Sequence, residues 1–137
     1  MCGFVGTINL KENLSSKKDI LISMNETLQK RGPDECGYFV SDNVLLGHRR
    51  LIVIDPDGGK QPMSFKYNGN TYVIVYNGQI YNTKELKETL KQNNIPLESY
   101  SDTEILLKSY VFYKEEIVNK LNGIFAFAIW DENNKSL

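Results

Sequence analysis

With 137 residues and 41% apolar side chains, the chain can bury one sizeable core, hiding roughly two-thirds of its unfolded surface, and is expected to form a single domain over residues 1–137. Sixteen basic and 17 acidic residues leave a net charge of −1, which argues against nucleic acid or an anionic membrane as partner. No apolar run approaches the roughly 20 residues that span a bilayer, and the start lacks the basic and apolar regions of a secretion signal, so the cytoplasm is the expected compartment.

In chain order, residues 4–9 predict a short apolar strand. A helix over about 16–29 follows, capped by Ser15 or Ser16, with Ile20, Leu21, Met24 and Leu28 as its apolar stripe. Gly32 and Pro33 break it. Residues 38–40 and 44–46, split by Asp42-Asn43, predict a hairpin, and 51–54 a β-branched strand ended by the 55–59 loop. Residues 63–67 and 71–76 flank Asn68-Gly69, a second hairpin signal. Asn77-Gly78 reads as a tight turn closing that strand. Asn82 with Glu85 suggests a capping box for a helix carrying Leu86 and Leu90, and Ser101 with Glu104 one for a helix carrying Ile105, Leu106 and Tyr110. Residues 124–130 are near-continuously apolar, as a strand covered on both faces would be. After a turn at 132–135, Ser136 and Leu137 would begin a returning strand. Strands that outnumber helices, with several hairpins, indicate an α+β layered protein.

The residue pattern with the most chemical content is Met1-Cys2-Gly3. Methionine aminopeptidase accepts a small second residue, so removal of Met1 would leave a terminal cysteine that carries a thiol and a free α-amine. Such a residue holds a nucleophile and its own base, with ordinary pKa values near ~8.5 and ~7.7–8.0, so a proton passes between them at little cost. A retained methionine would acylate that base, and such a chain should be inert. The dipeptide by itself is weak evidence, since an early cysteine is commonly a small buried hydrophobe. His48, the single histidine, reads as a hydrogen-bonded structural residue, because an N-terminal nucleophile leaves it no catalytic task. Cys36 reads as an incidental buried thiol; pairing with Cys2 would block the nucleophile. No metal-ligand spacing is present, so no metal is expected. Gly58-Gly59 lacks the spacing of a phosphate loop, so no ATP site is expected.

Downstream of Cys2 stand Arg31-Gly32-Pro33-Asp34, Gly47-His48-Arg49-Arg50-Leu51, Gln61-Pro62, Tyr76-Asn77-Gly78-Gln79-Ile80-Tyr81-Asn82, Ser101-Asp102-Thr103-Glu104 and Leu121-Asn122-Gly123-Ile124-Phe125-Ala126-Phe127-Ala128. In that order the set resembles the glutamine-hydrolysing domain of asparagine synthetase, a class II glutamine amidotransferase of the N-terminal-nucleophile (Ntn) hydrolase superfamily. The resemblance covers essentially the whole chain.

It implies a four-layer αββα sandwich, C-terminally truncated here, since the family continues with a further strand. It also implies hydrolysis of glutamine to glutamate and ammonia. Glutamine demands a cation for its α-carboxylate, an anion for its α-ammonium, and an oxyanion trap. Arg50 suits the first through its planar fork. Asp102 would take the ammonium and Asn77 with Gly78 the oxyanion, as the resemblance implies. By the same analogy Leu51, Val53, Ile54 and Gln79 line the glutamine pocket, with Gln79 standing where the family usually carries glutamate. The expected partner is an ammonia-accepting synthetase domain, which alone would use ATP and magnesium, to amidate aspartate. Two other readings remain: an acceptor that is a sugar or peptide, and a silent fragment that only contacts a synthetase.

Overall fold

The computed structural model describes every residue except Ile54. The elements are β1 (Gly3–Ile8), α1 (Lys18–Glu26), β2 (Glu35–Val40), β3 (Val44–Arg50), β4 (Met63–Tyr67), β5 (Asn70–Ile80), α2 (Thr83–Gln92), α3 (Asp102–Tyr113), a 3-10 segment (Lys114–Lys120) and β6 (Gly123–Asp131). Two antiparallel three-stranded sheets form, in the orders β1-β3-β2 and β4-β5-β6.

The period-2 alternation of β3 sorts its side chains. Leu45 packs with Leu21 of α1 and with Leu14, whereas Val44 and Leu46 meet Val73 and Val75 of β5 and Trp130 of β6 between the sheets. On the far face of the second sheet, Tyr72, Ile74, Tyr76 and Ile80 of β5 pack against Leu86 and Leu90 of α2 and Ile105 and Leu106 of α3. The layers are therefore α1, sheet, sheet, and α2 with α3: the αββα sandwich. Asn68 and Gly69 take φ of 48° and 80°, the left-handed pair that a two-residue hairpin requires between β4 and β5. Among the described residues no helix is long and apolar enough to cross a membrane.

Several local expectations are corrected. Helix α1 begins at Lys18 without a side-chain cap, because the Ser15 hydroxyl donates instead to Asn13 Oδ1 (2.6 Å). It ends at Glu26, beyond which Leu28 N–H bonds back three residues to Asn25 (3.1 Å) and the chain turns. Leu21 of its stripe is buried, but Ile20 faces solvent. Leu51, Ile52 and Val53 form no strand, since the Leu51 and Ile52 amides are taken by side chains, the Cys2 sulfur (3.3 Å) and Asp34 Oδ2 (2.8 Å). Ser101 caps α3, accepting from Thr103 and Glu104 N–H, but the box stays open: Ser101 N–H goes to Ser99 Oγ (3.3 Å), and the Glu104 carboxylate accepts Glu98 and Ser99 N–H (2.8 Å each). Asn82 makes no such cap: its amide is spent on Asn122 N–H (2.9 Å), the Lys120 carbonyl (2.8 Å) and Glu85 (3.3 Å). The returning strand is a single bridge, Asp131 to Ser136. Cys36 is exposed, not buried.

Candidate active site

The sandwich is dry at one end and open at the other, and strand alternation decides which side chains reach the opening. Phe4 of β1 packs between the sheets and pairs with His48 of β3, so Cys2, two residues earlier, shares that face at the end of β3 that carries Arg50. On β5 the intersheet series runs Val73, Val75, then Asn77 and Gln79. On β6, whose partners in register are Asn77 to Ala126 and Val75 to Ala128, it runs Trp130, Ala128, then Ala126 and Ile124. Full cover of β6 is thereby corrected: Trp130 is buried, whereas Ile124 is 74% exposed where the sheets part.

The opening is a cleft of about 500 Å³ that Cys2, Arg50, Leu51, Val53, Asn77, Gly78, Gln79 and Asp102 all line. This lies within the range that holds small polar ligands. Ile54 lies outside the described residues. Asn77 and Gly78 are not a terminal turn; both sit inside β5, which continues to Ile80. A Cβ at Gly78 would stand 2.3 Å from the Ile124 carbonyl oxygen, so glycine is what lets β6 pass this close.

The Cys2 thiol donates to the Leu51 carbonyl (3.5 Å), and its sulfur accepts the Leu51 N–H (3.3 Å), which fixes it at the cleft wall. Arg50 is only 5% exposed. Its Nη1 donates to Glu35 Oε2 (2.8 Å) and the Pro56 carbonyl (3.0 Å), and its Nη2 to the Asp55 carbonyl (2.5 Å). The Asp55 carboxylate in turn accepts Gly58 N–H and Tyr100 N–H (2.8 Å each), contacts that hold its pKa below the usual value. The loop after residue 54 is thus folded around the guanidinium.

Asp102 opens α3, and its Oδ2 accepts the Tyr76 hydroxyl (2.7 Å) and the Ile80 N–H (3.4 Å). Burial, then Asp102, pushes the Tyr76 phenol well above its ordinary pKa, so it stays a donor. β4 begins only at Met63, opposite Ile74, which leaves Tyr76 N–H and C=O without a strand partner on that side. Gln61 Oε1 takes the N–H (2.6 Å), while its Nε2 donates to Thr103 Oγ1 (3.3 Å). His48 Nε2–H, from the other sheet, donates to the C=O (2.9 Å). That makes His48 the hydrogen-bonded structural residue expected. Burial drives its pKa down to about 4. Gly78 N–H lies on the same strand edge, between the N–H groups of Tyr76 and Ile80.

Sequence reasoning missed Tyr76 and gave Gln61 no role; the available signal was the alternation that turns Tyr76 away from Asn77 toward α3. Among the described residues, no three of His, Cys, Asp and Glu are placed to share a metal ion.

Residues 1–137 match the model of the glutamine amidotransferase domain. The chain is 47% identical over its whole length to glutamine-hydrolyzing asparagine synthetase 3 of Bacillus subtilis, and 37% identical over 99% of its length to the maize glutamine-hydrolyzing asparagine synthetase; it spans 22% of each. Among solved structures it resembles the glutamine phosphoribosylpyrophosphate amidotransferase of B. subtilis, with a TM-score of 0.74 and 20% identity, over 94% of this chain and 35% of that one. The cleft with an early cysteine at its wall and the match along the full sequence agree: the chain belongs to the glutamine amidotransferase domain family.

Proposed function

We propose that this domain hydrolyses glutamine to glutamate and ammonia with Cys2 as nucleophile. The observation that carries the reading is that Cys2, Arg50, Asn77, Gly78 and Asp102, from four separate segments, line one cleft. Arg50 receives the α-carboxylate and Asp102 the α-ammonium, while the side-chain carboxamide reaches Cys2. Leu51, Val53 and Gln79 form the pocket walls.

Once Met1 is removed, the Cys2 amine takes the thiol proton and the sulfur attacks the carboxamide carbon. Asn77 and the Gly78 N–H stabilise the oxyanion. The amine returns the proton to the departing nitrogen, ammonia leaves and a glutamyl thioester remains. The same amine then deprotonates a water, which attacks the thioester, and glutamate leaves as the thiol is restored.

We further assign residues 1–137 to one glutaminase domain, whose ammonia goes to a linked synthetase domain that amidates aspartate with ATP and magnesium, in the cytoplasm. The support for the synthetase partner is the name of the relatives, glutamine-hydrolyzing asparagine synthetases of which this chain spans 22%; ATP, magnesium and the cytoplasm rest on the family resemblance alone. The test is a glutamine-mimicking diazoketone followed by intact-mass measurement. An adduct on the Met1-free chain, lost in Cys2→Ala together with ammonia release, is expected. Equal glutamate production by wild type and Cys2→Ala refutes the mechanism.

A further inference from the structure

Tyr76 lines the cleft, and the mechanism leaves its hydroxyl without a task. Tyr76 points its ring into the helix layer, yet its hydroxyl ends at Asp102 Oδ2, and among the described residues no donor reaches Asp102 Oδ1. All three polar groups of this residue are tied down: N–H to Gln61, C=O to His48, hydroxyl to Asp102. Tyr76 is therefore a fixed post between the strand that carries Asn77 and the first turn of α3, which Gln61 also grips through Thr103.

A carboxylate on a helix N-terminus has two low-energy orientations and two basic oxygens. With the Tyr76 hydroxyl and, more weakly, the Ile80 N–H both on Oδ2, Oδ1 is the oxygen left for a ligand in the cleft that Asp102 lines. The need is sharper because Gln79, beside Asn77, is neutral, so among the residues assigned to the glutamine pocket Asp102 is the one anion.

Resting on the glutamine-hydrolysis reading, we propose that Tyr76 is a positioning residue that sets the domain's demand for an α-amino group on its substrate, by holding Asp102 with Oδ1 toward the ammonium. A donor that stays protonated across the working pH range holds it at every pH the enzyme meets.

The test uses the intact protein and two substrates, L-glutamine and glutaramate, which has the same carboxamide and carboxylate but no α-amine. For Tyr76→Phe, which removes one hydroxyl and no ring, KM for glutamine should rise about tenfold with kcat within about twofold, while kcat/KM for glutaramate stays within about twofold. In the Asp102→Asn background, Tyr76→Phe should add no further loss for glutamine. Equal losses on both substrates would mean a merely structural role and overturn the proposal. So would an unchanged KM for glutamine in Tyr76→Phe when Asp102→Asn still weakens it, which faults Tyr76 alone. If Asp102→Asn leaves the preference for glutamine over glutaramate intact, the assignment of Asp102 itself falls, and the proposal with it.

Discussion

His48 should make the stability of this domain fall as pH drops from about 7 toward 4. The ring is fully buried between the sheets, its Nε2–H donates to the Tyr76 carbonyl, and Nδ1 is buried without a partner. Protonation would place a cation there with no acceptor for the new N–H, two residues from Arg50. Burial is the largest cause of the lowered pKa and the Arg50 charge adds to it; the Tyr76 carbonyl and Glu35 oppose it. With a folded pKa of about 4 against 6.5 in the unfolded chain, the unfolded state binds more protons between those values, so stability rises with pH there. The contribution is complete above about pH 7 and is lost as pH falls: roughly 1 kcal/mol by pH 5.5 and between about 2 and 3 kcal/mol by pH 4.5. The chain has one histidine; Asp55, Glu104, Asp131 and Glu132, whose folded pKa values are lowered, also lose stability as pH falls through their ordinary values of 3.8 and 4.5, so the stretch from pH 7 to about 5.5 is where the His48 slope is read. Urea unfolding at a series of pH values measures the slope. His48→Gln, whose amide nitrogen can still reach the Tyr76 carbonyl, should unfold with nearly constant free energy from pH 7 to about 5.5 and with a shallower slope than the wild type below that. Parallel curves for the two proteins would refute the argument.

Asn77→Ala should lower glutamine turnover by about 10²–10³ with a much smaller change in KM, read in a steady-state ammonia assay. Gly78→Ala forces a methyl group to within 2.3 Å of the Ile124 carbonyl and 2.6 Å of the Phe125 Cα, so β5 and β6 must separate. A loss of about 2–3 kcal/mol is expected, seen as a fall in Tm. Glu104→Gln leaves the Lys108 ammonium buried with the Pro96 carbonyl as its strong acceptor, having lost a 2.7 Å ion pair. It should cost about 3 kcal/mol in denaturant unfolding, and Lys108→Met with Glu104→Gln together should recover part of it.

The parts of the fold that could be read from sequence are those whose cause is local. Asn68-Gly69 makes its hairpin because both residues accept positive φ, and Ser101 caps α3 because its hydroxyl reaches N–H groups two and three residues on. Asn77-Gly78, the same dipeptide, makes no turn at all. There the missing Cβ serves a neighbour 46 residues away, the Ile124 carbonyl on β6, and nothing in the local pattern announces it. Asn82 fails as a cap for the same kind of reason: its amide is claimed by residues 120 and 122, with which it shares no sequence neighbourhood.

The cleft follows from strands that outrun their dry core. On β5 the apolar run Val73-Ile74-Val75 gives way to Asn77-Gly78-Gln79 without any break in the strand, and β4 begins only at Met63, opposite Ile74. Beyond that point each backbone group on the β4 side needs a substitute partner; Gln61 serves Tyr76 N–H, His48 its C=O, and Asp102 serves Ile80 N–H. Those substitutes come from the segment before β4, from the opposite sheet and from α3, so satisfying one strand edge draws three parts of the chain to the same place. Polar side chains on the intersheet face are tolerated there because the sheets have parted, and the sheets part where the intersheet residues stop being apolar. The change from Val75 to Asn77 is visible in the sequence. Its consequence, that Tyr76 between them faces Asp102, depends on α3 lying across that face, which local pattern does not encode.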